Sequence, residues 1–155
     1  MKQYLLETFQ FNDAANKKMI QKIAQLPDAT EGIRYMSHLI NSQKKWMARI
    51  KQDPAAPQMS WWDPVYSYDD METEWNNSLQ PWIEMISNST DGELFEEAEF
   101  TGYDGARWAA RPVDIALQLN YHSIHHRAQM QLFIRAQGIE PDFIDYIGTK
   151  YRRLG

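Results

Sequence analysis

The chain has four histidines, and they fall in two places: His38 alone, and His122, His125 and His126 together. Histidine binds transition-metal ions as a neutral ring and exchanges protons near neutral pH. His122 and His126 stand four residues apart, which on a helix sets them about 40° apart around the axis and one turn along it. Two rings so placed converge on one ion, the spacing that helix-borne zinc sites use. His125 and His126 differ by about 100°, so they cannot both face one point. His125 is left to donate a supporting hydrogen bond or to face outward. A second reading stays open, in which the pair is satisfied by Gln129, tyrosines or backbone groups. Each buried imidazole nitrogen left unpaired costs roughly 1–3 kcal/mol. A metal removes that cost, because the ring coordinates through one nitrogen and donates from the other.

The 155 residues contain no cysteine. Disulfides, thiolate ligands and a thiol nucleophile of the protein's own are excluded, so any metal takes nitrogen and oxygen ligands. Asp63, Asp69, Glu72 and Asp114 offer oxygen, but spacing places none of them.

These side chains need elements to carry them, and apolar periodicity supplies four long helices. Leu5, Phe9, Ala15, Met19, Ile23 and Leu26 form one helical face, ended by Pro27. Thr30 is the expected N-cap of a second helix reaching about Ile50, with Ile33, Met36, Ile40, Met47 and Ile50 on one side. A third begins near Asp69, the expected cap, with Met71, Trp75, Leu79, Trp82 and Ile86 buried and Pro81 kinking it. The fourth runs from about Pro112 to Gln137, with Gly138 as its C-terminal cap. Its buried seam reads Ile115, Leu119, His122, His126, Gln129, Phe133 and Ala136. Between the third and fourth, Phe95 to Trp108 reads as a short hairpin or extended arm turning at Asp104-Gly105. A short last helix is expected after Pro141. The fold class is therefore all-α, an antiparallel four-helix bundle forming a single domain over residues 1–155. The proline-rich loop from Pro54 to Tyr68 carries Trp61-Trp62, either a lid over one end of the bundle or one wall of a ligand site. On the second helix His38 lies about 160° from Met36. Periodicity alone makes it a surface residue at the edge of the buried face.

Composition narrows the function classes. The chain is 43% hydrophobic and 13% aromatic, enough for a core with many ring contacts. A net charge of −5 gives no basic face for phosphates, so no nucleic-acid partner is expected. No apolar run approaches the roughly 20 residues that span a bilayer. Polar residues follow Met1 where a secretory leader would turn apolar, so a cytoplasmic protein is expected.

Three stretches carry a resemblance. Asn120 to Gln129 reads NYHSIHHRAQ, followed from Leu132 to Pro141 by LFIRAQGIEP; Phe9 to Ile20 reads FQFNDAANKKMI; and His38 precedes Trp46 by eight residues. In this order they resemble the DinB/YfiT-like superfamily of metalloenzymes over nearly the whole chain. The resemblance implies a facial triad of His38, His122 and His126 for one divalent metal ion, Zn, Ni, Mn or Fe. It thus moves His38 from surface residue to ligand. It also implies a homodimer and, in some relatives, a transferase or isomerase that uses a low-molecular-weight thiol as cosubstrate. Ala128, Ala14 and Gln118 stand where the family often has glycine, tryptophan and histidine, so the pocket has its own shape.

Three protein ligands leave coordination positions open, as catalytic sites do. The expected function is a metal-dependent thiol S-transferase or hydrolase acting on a small molecule, with His125, Gln129, Gln118, Trp46 and Tyr121 as pocket candidates. The alternatives are a non-catalytic metal- or ligand-binding bundle and a stress-related structural dimer with a relic site.

Overall fold

The computed structural model describes residues 1–154 and is mostly helical, with one two-stranded sheet. In chain order the elements are α1 (Lys2–Ile23), α2 (Thr30–Ile50), α3 (Tyr68–Asn88), a short α4 (Asp91–Phe95), β1 (Ala98–Thr101), β2 (Arg107–Ala110) and α5 (Pro112–Ala136). Short 3-10 turns occupy Ala56–Gln58 and Tyr146–Thr149.

Helices α1 and α2 each pack against both α3 and α5, so the four long helices enclose one apolar core. The apolar stripes of the sequence meet there: Leu5 and Phe9, Met36 and Ile40, Trp75, Trp82 and Ile86, Met130 and Ile134 are all buried. A buried indole must place its N–H. Trp82 Nε1 donates to the Gln43 carbonyl at 3.1 Å while its ring stacks 6.1 Å from Phe9. Trp75 Nε1 donates to Asp13 Oδ1 at 2.9 Å, tying α3 to α1.

Helix ends differ from the sequence expectation in three places. Thr30 lies inside α2; the cap is supplied from upstream, where Asp28 Oδ1 accepts the Thr30 N–H at 3.0 Å. For α3 the cap is Ser67, whose Oγ accepts the Asp70 N–H at 3.2 Å, and Asp69 lies in the first turn beside the helix dipole. In both cases the acceptor sits two residues before the expected one. Pro81 is accommodated within α3, which continues to Asn88. The short last helix expected after Pro141 is a four-residue 3-10 helix, Tyr146–Thr149, and not an α-helix. Phe143, Ile147, Tyr151 and Leu154 are all exposed, so no buried stripe offsets the cost of nucleating one.

Helix α4 escaped the sequence reading because it is one turn long. Its signature is local: Thr90 and Glu93 form a reciprocal capping box. The hairpin pairs Ala98 with Ala110 and Phe100 with Trp108, and Gly105 at φ 79° makes its turn. β1 lies against α2, where the Phe100 ring meets Trp46 edge-on at 5.5 Å.

Trp82→Ala should cost about 3–5 kcal/mol, because it removes a fully buried ring together with its bond to the Gln43 carbonyl. Urea unfolding followed by far-UV circular dichroism measures it. A loss below about 1 kcal/mol would mean that this core collapses freely around the gap.

Candidate metal centre

Helix α5 buries a seam one position around from the one that apolar periodicity selects. Ala116, Asn120, Ser123, Arg127, Met130 and Ile134 form its centre, with Ile115, Leu119 and His126 beside them. Three of these are polar, so counting Leu and Ile rotates the seam by about 100°. The polar ones answer polar partners on α1. Arg127 Nη1 donates to Asn12 Oδ1 at 2.7 Å, Ser123 Oγ at 2.8 Å and Asn16 Oδ1 at 3.3 Å. Asn12 and Asn120 bond to each other, and Asn120 Nδ2 donates to Thr8 Oγ1 at 2.9 Å. Burial pushes the Arg127 guanidinium down to about 10, still charged at neutral pH. This network sets the rotation and height of α5, and with them the direction of His122 and His126.

His38 is 7% exposed, so the surface position that periodicity assigns it is overturned. Helix α2 is covered on a second side by the 59–66 loop and by the hairpin, which bury Ser37, Asn41, Ser42 and Lys45 as well. A helix wrapped on two sides has no single apolar arc for a helical wheel to find.

The three rings meet. His122 Nε2 lies 3.0 Å from His38 Nε2 and 2.9 Å from His126 Nε2, and one ligand atom from each ring falls within 4.8 Å of the others. Among the described residues no aspartate or glutamate joins this group, so Asp63, Asp69, Glu72 and Asp114 stay outside it. The far nitrogens are fixed: His38 Nδ1–H donates to the Trp61 carbonyl at 2.7 Å, and His126 Nδ1–H donates to Gln129 Oε1 at 2.6 Å. With those hydrogens on Nδ1, both rings present lone pairs from Nε2.

Aromatic walls surround the rings. Trp62 stacks on His38 with centroids 3.9 Å apart and planes 12° off parallel, and the Arg34 guanidinium lies 4.7 Å from the Trp62 ring centroid. Tyr35 lies 5.1 Å from the His126 ring and 5.8 Å from Phe133. The Trp61-Trp62 pair is therefore a wall of the site and is tied to it. His122 alone of the three is only half-buried, so the cluster meets solvent along its edge.

The other pocket candidates divide. Gln129 bonds to the cluster directly, and His125 is exposed with its ring 5.0 Å from His126. Trp46 packs on Trp61, one layer away from the rings. Gln118 and Tyr121 are exposed and hydrogen-bond to none of the rings. Sequence reasoning missed Tyr35 and Arg34, whose only signal is their position one turn before His38 on the same helix.

Electrostatics keeps the rings neutral. Burial is the main cause that pushes His122 down to about 4, with His126, His38 and His125 adding to it. Burial also lowers His38, against the pull of the Trp61 carbonyl, and His126, against that of Gln129. Neutral imidazoles are the form that binds a cation.

For the metal-free protein, His122 stays neutral in the fold while the unfolded chain protonates it near 6.5. The unfolded state then binds more protons across that interval, so stability falls as pH drops from about 6.5 toward about 4 and levels off below. Urea midpoints of wild type and His122→Asn at several pH values should show this: the variant loses less stability on acidification. Equal losses would contradict the buried, neutral ring.

The chain matches the DinB family over residues 1–153. No curated protein matches it.

Proposed function

The chain belongs to the DinB family, and from that premise we propose that His38, His122 and His126 hold one divalent metal ion in a metal-dependent enzyme of the thiol S-transferase or hydrolase type. One observation carries the reading. Three neutral imidazoles turn toward a shared point, yet the two flanking rings have committed their hydrogens elsewhere. His122 Nε2 has one hydrogen at most, so at least one of its contacts at 2.9–3.0 Å sets lone pair against lone pair. A cation resolves that conflict. The two short spacings from His122 agree as well, since nitrogens that share an ion at about 2.0–2.1 Å lie roughly 3 Å from each other.

When bound, such an ion supplies Lewis acidity and stabilises the deprotonated form of a small nucleophile, a thiol or water. The chain's residues do the rest. Trp61 and Gln129 hold the two outer rings in one tautomer and orientation. Trp62 and Tyr35 exclude water from the sides, and the half-buried edge at His122 leaves the way in. With no cysteine in the sequence, a thiol nucleophile would come from solution as a low-molecular-weight cosubstrate.

The same reading takes the four long helices and their common core as an antiparallel four-helix bundle in a single domain. It places the protein in the cytoplasm as a homodimer acting on a small molecule. Apolar Tyr121, Ile124 and Leu132, exposed along α5, support a second copy. The net charge of −5 argues against nucleic acid. No described helix is long and apolar enough to cross a membrane.

Metal analysis of the purified protein should give about one Zn, Ni, Mn or Fe per chain. His38→Ala, His122→Ala or His126→Ala should abolish it, while Gln129→Ala should weaken affinity by roughly 10–100-fold. Retention of the ion by His122→Ala would overturn the assignment. Turnover of electrophiles with small thiols marks the transferase, and turnover of esters or amides marks the hydrolase. A loaded protein inactive in both is a binding module.

A further inference from the structure

Helix α2 carries a second buried polar stretch beyond His38. Ser42, Lys45 and Arg49 follow it by four, seven and eleven residues, within about 40° of it around the axis. All three are buried, Arg49 to within 8% exposure. Lys45 is engaged: its Nζ donates to the Met59 carbonyl and lies 4.5 Å over the Trp61 ring. Arg49 is not. Its guanidinium is held among the rings of Trp46, Phe100 and Trp61 at 4.6, 4.8 and 5.1 Å, and its buried Nε has no hydrogen-bond partner. Among the described residues, no ion pair includes it.

Aromatic faces compensate a cation's charge but leave the donors of the fork empty. An unpaired buried guanidinium is costly, and proteins keep one where something else completes it. A cavity of about 570 Å³ opens beside Arg49, walled by Phe100, Pro54 and Pro57. The other charged groups on its wall are already used. Glu99 pairs with Arg107 across the hairpin, and Asp53 Oδ1 accepts the Ala55 N–H at 2.8 Å. One free cation remains, shaped to donate two parallel hydrogen bonds to a carboxylate. Two carboxylates in the same wall oppose a doubly charged phosphate, and the ring and prolines suit an apolar body.

We propose that this cavity binds a small organic monocarboxylate, with Arg49 pairing the carboxylate and Phe100, Pro54 and Pro57 receiving an apolar or aromatic body. The site is separate from the imidazole cluster, since none of the three histidines lines it. The proposal therefore stands or falls independently of the metal.

Calorimetric titration of the full chain with benzoate and 4-phenylbutyrate, beside their neutral amides and phenyl phosphate, tests it. The carboxylates should bind, and each amide should bind about tenfold or more weakly. Arg49→Met should reduce carboxylate affinity by about tenfold or more and leave amide binding unchanged, with Arg49→Lys falling between. Metal content should be the same in all three proteins. Absence of carboxylate binding to wild type, equal affinity for acid and amide, or tighter binding of phenyl phosphate than benzoate would each overturn the proposal. So would full carboxylate affinity in Arg49→Met. Should that variant fail to unfold cooperatively, the acid–amide comparison on wild type and Arg49→Lys decides alone.

Discussion

The hydrogen bonds from His38 Nδ1 to the Trp61 carbonyl and from His126 Nδ1 to Gln129 Oε1 leave two lone pairs facing His122 Nε2. Neither flanking ring can relieve the crowding by moving its hydrogen without giving up a short bond of 2.6–2.7 Å. Protonating a third ring is opposed by burial, which lowers all three. The site thus disfavours a proton on any of its rings and keeps them in the neutral form that a cation with nitrogen affinity would need. That neutrality is how a cluster of histidines differs from a polar core.

Holding the rings in this arrangement requires fixing α5 against α1 in rotation and height. Apolar packing alone does this poorly, because Leu and Ile surfaces slide past each other at small cost. Arg127 does it well. Its guanidinium meets two asparagines and a serine, each at a set distance, and has no carboxylate to neutralise it. Such a network is satisfied in one register only, and a buried charge makes every other register costly. Stability is exchanged here for precision of alignment.

How far the sequence reveals this structure depends on which force placed each residue. Where apolar burial decides, the pattern is plain: Leu5 and Phe9 on α1 and the Trp75 to Ile86 stripe on α3 follow from periodicity, and Pro112 and Gly138 mark the ends of α5. Where polar groups meet polar groups, it misleads. The α5 centre passes through Asn120, Ser123 and Arg127, and His38 is buried by a loop rather than by a helix. The His122–His126 pair was visible through its spacing. His38 was visible only through likeness to other sequences, because long-range coverage leaves no local mark. Asn12 and Asn16 belonged to a recognisable stretch, but nothing in one chain says that their partner is Arg127. Both caps went astray by two residues, because Asp28 and Ser67, upstream of the expected Thr30 and Asp69, accept the free N–H groups at the helix starts.

The segment from Asp53 to Ser67 touches both polar ends of α2. Through its carbonyl and the neighbouring indole it grips His38, and through the Trp61 ring it covers Lys45 and Arg49. It is a strut of fixed length between two anchorages, not slack joining two helices. Adding or removing one residue there would swing the Trp61 carbonyl off the imidazole it aligns. The turn at Gly102 to Ala106 bears no such load. A longer hairpin tip would leave the imidazoles in place, while the tryptophan strut must keep its span.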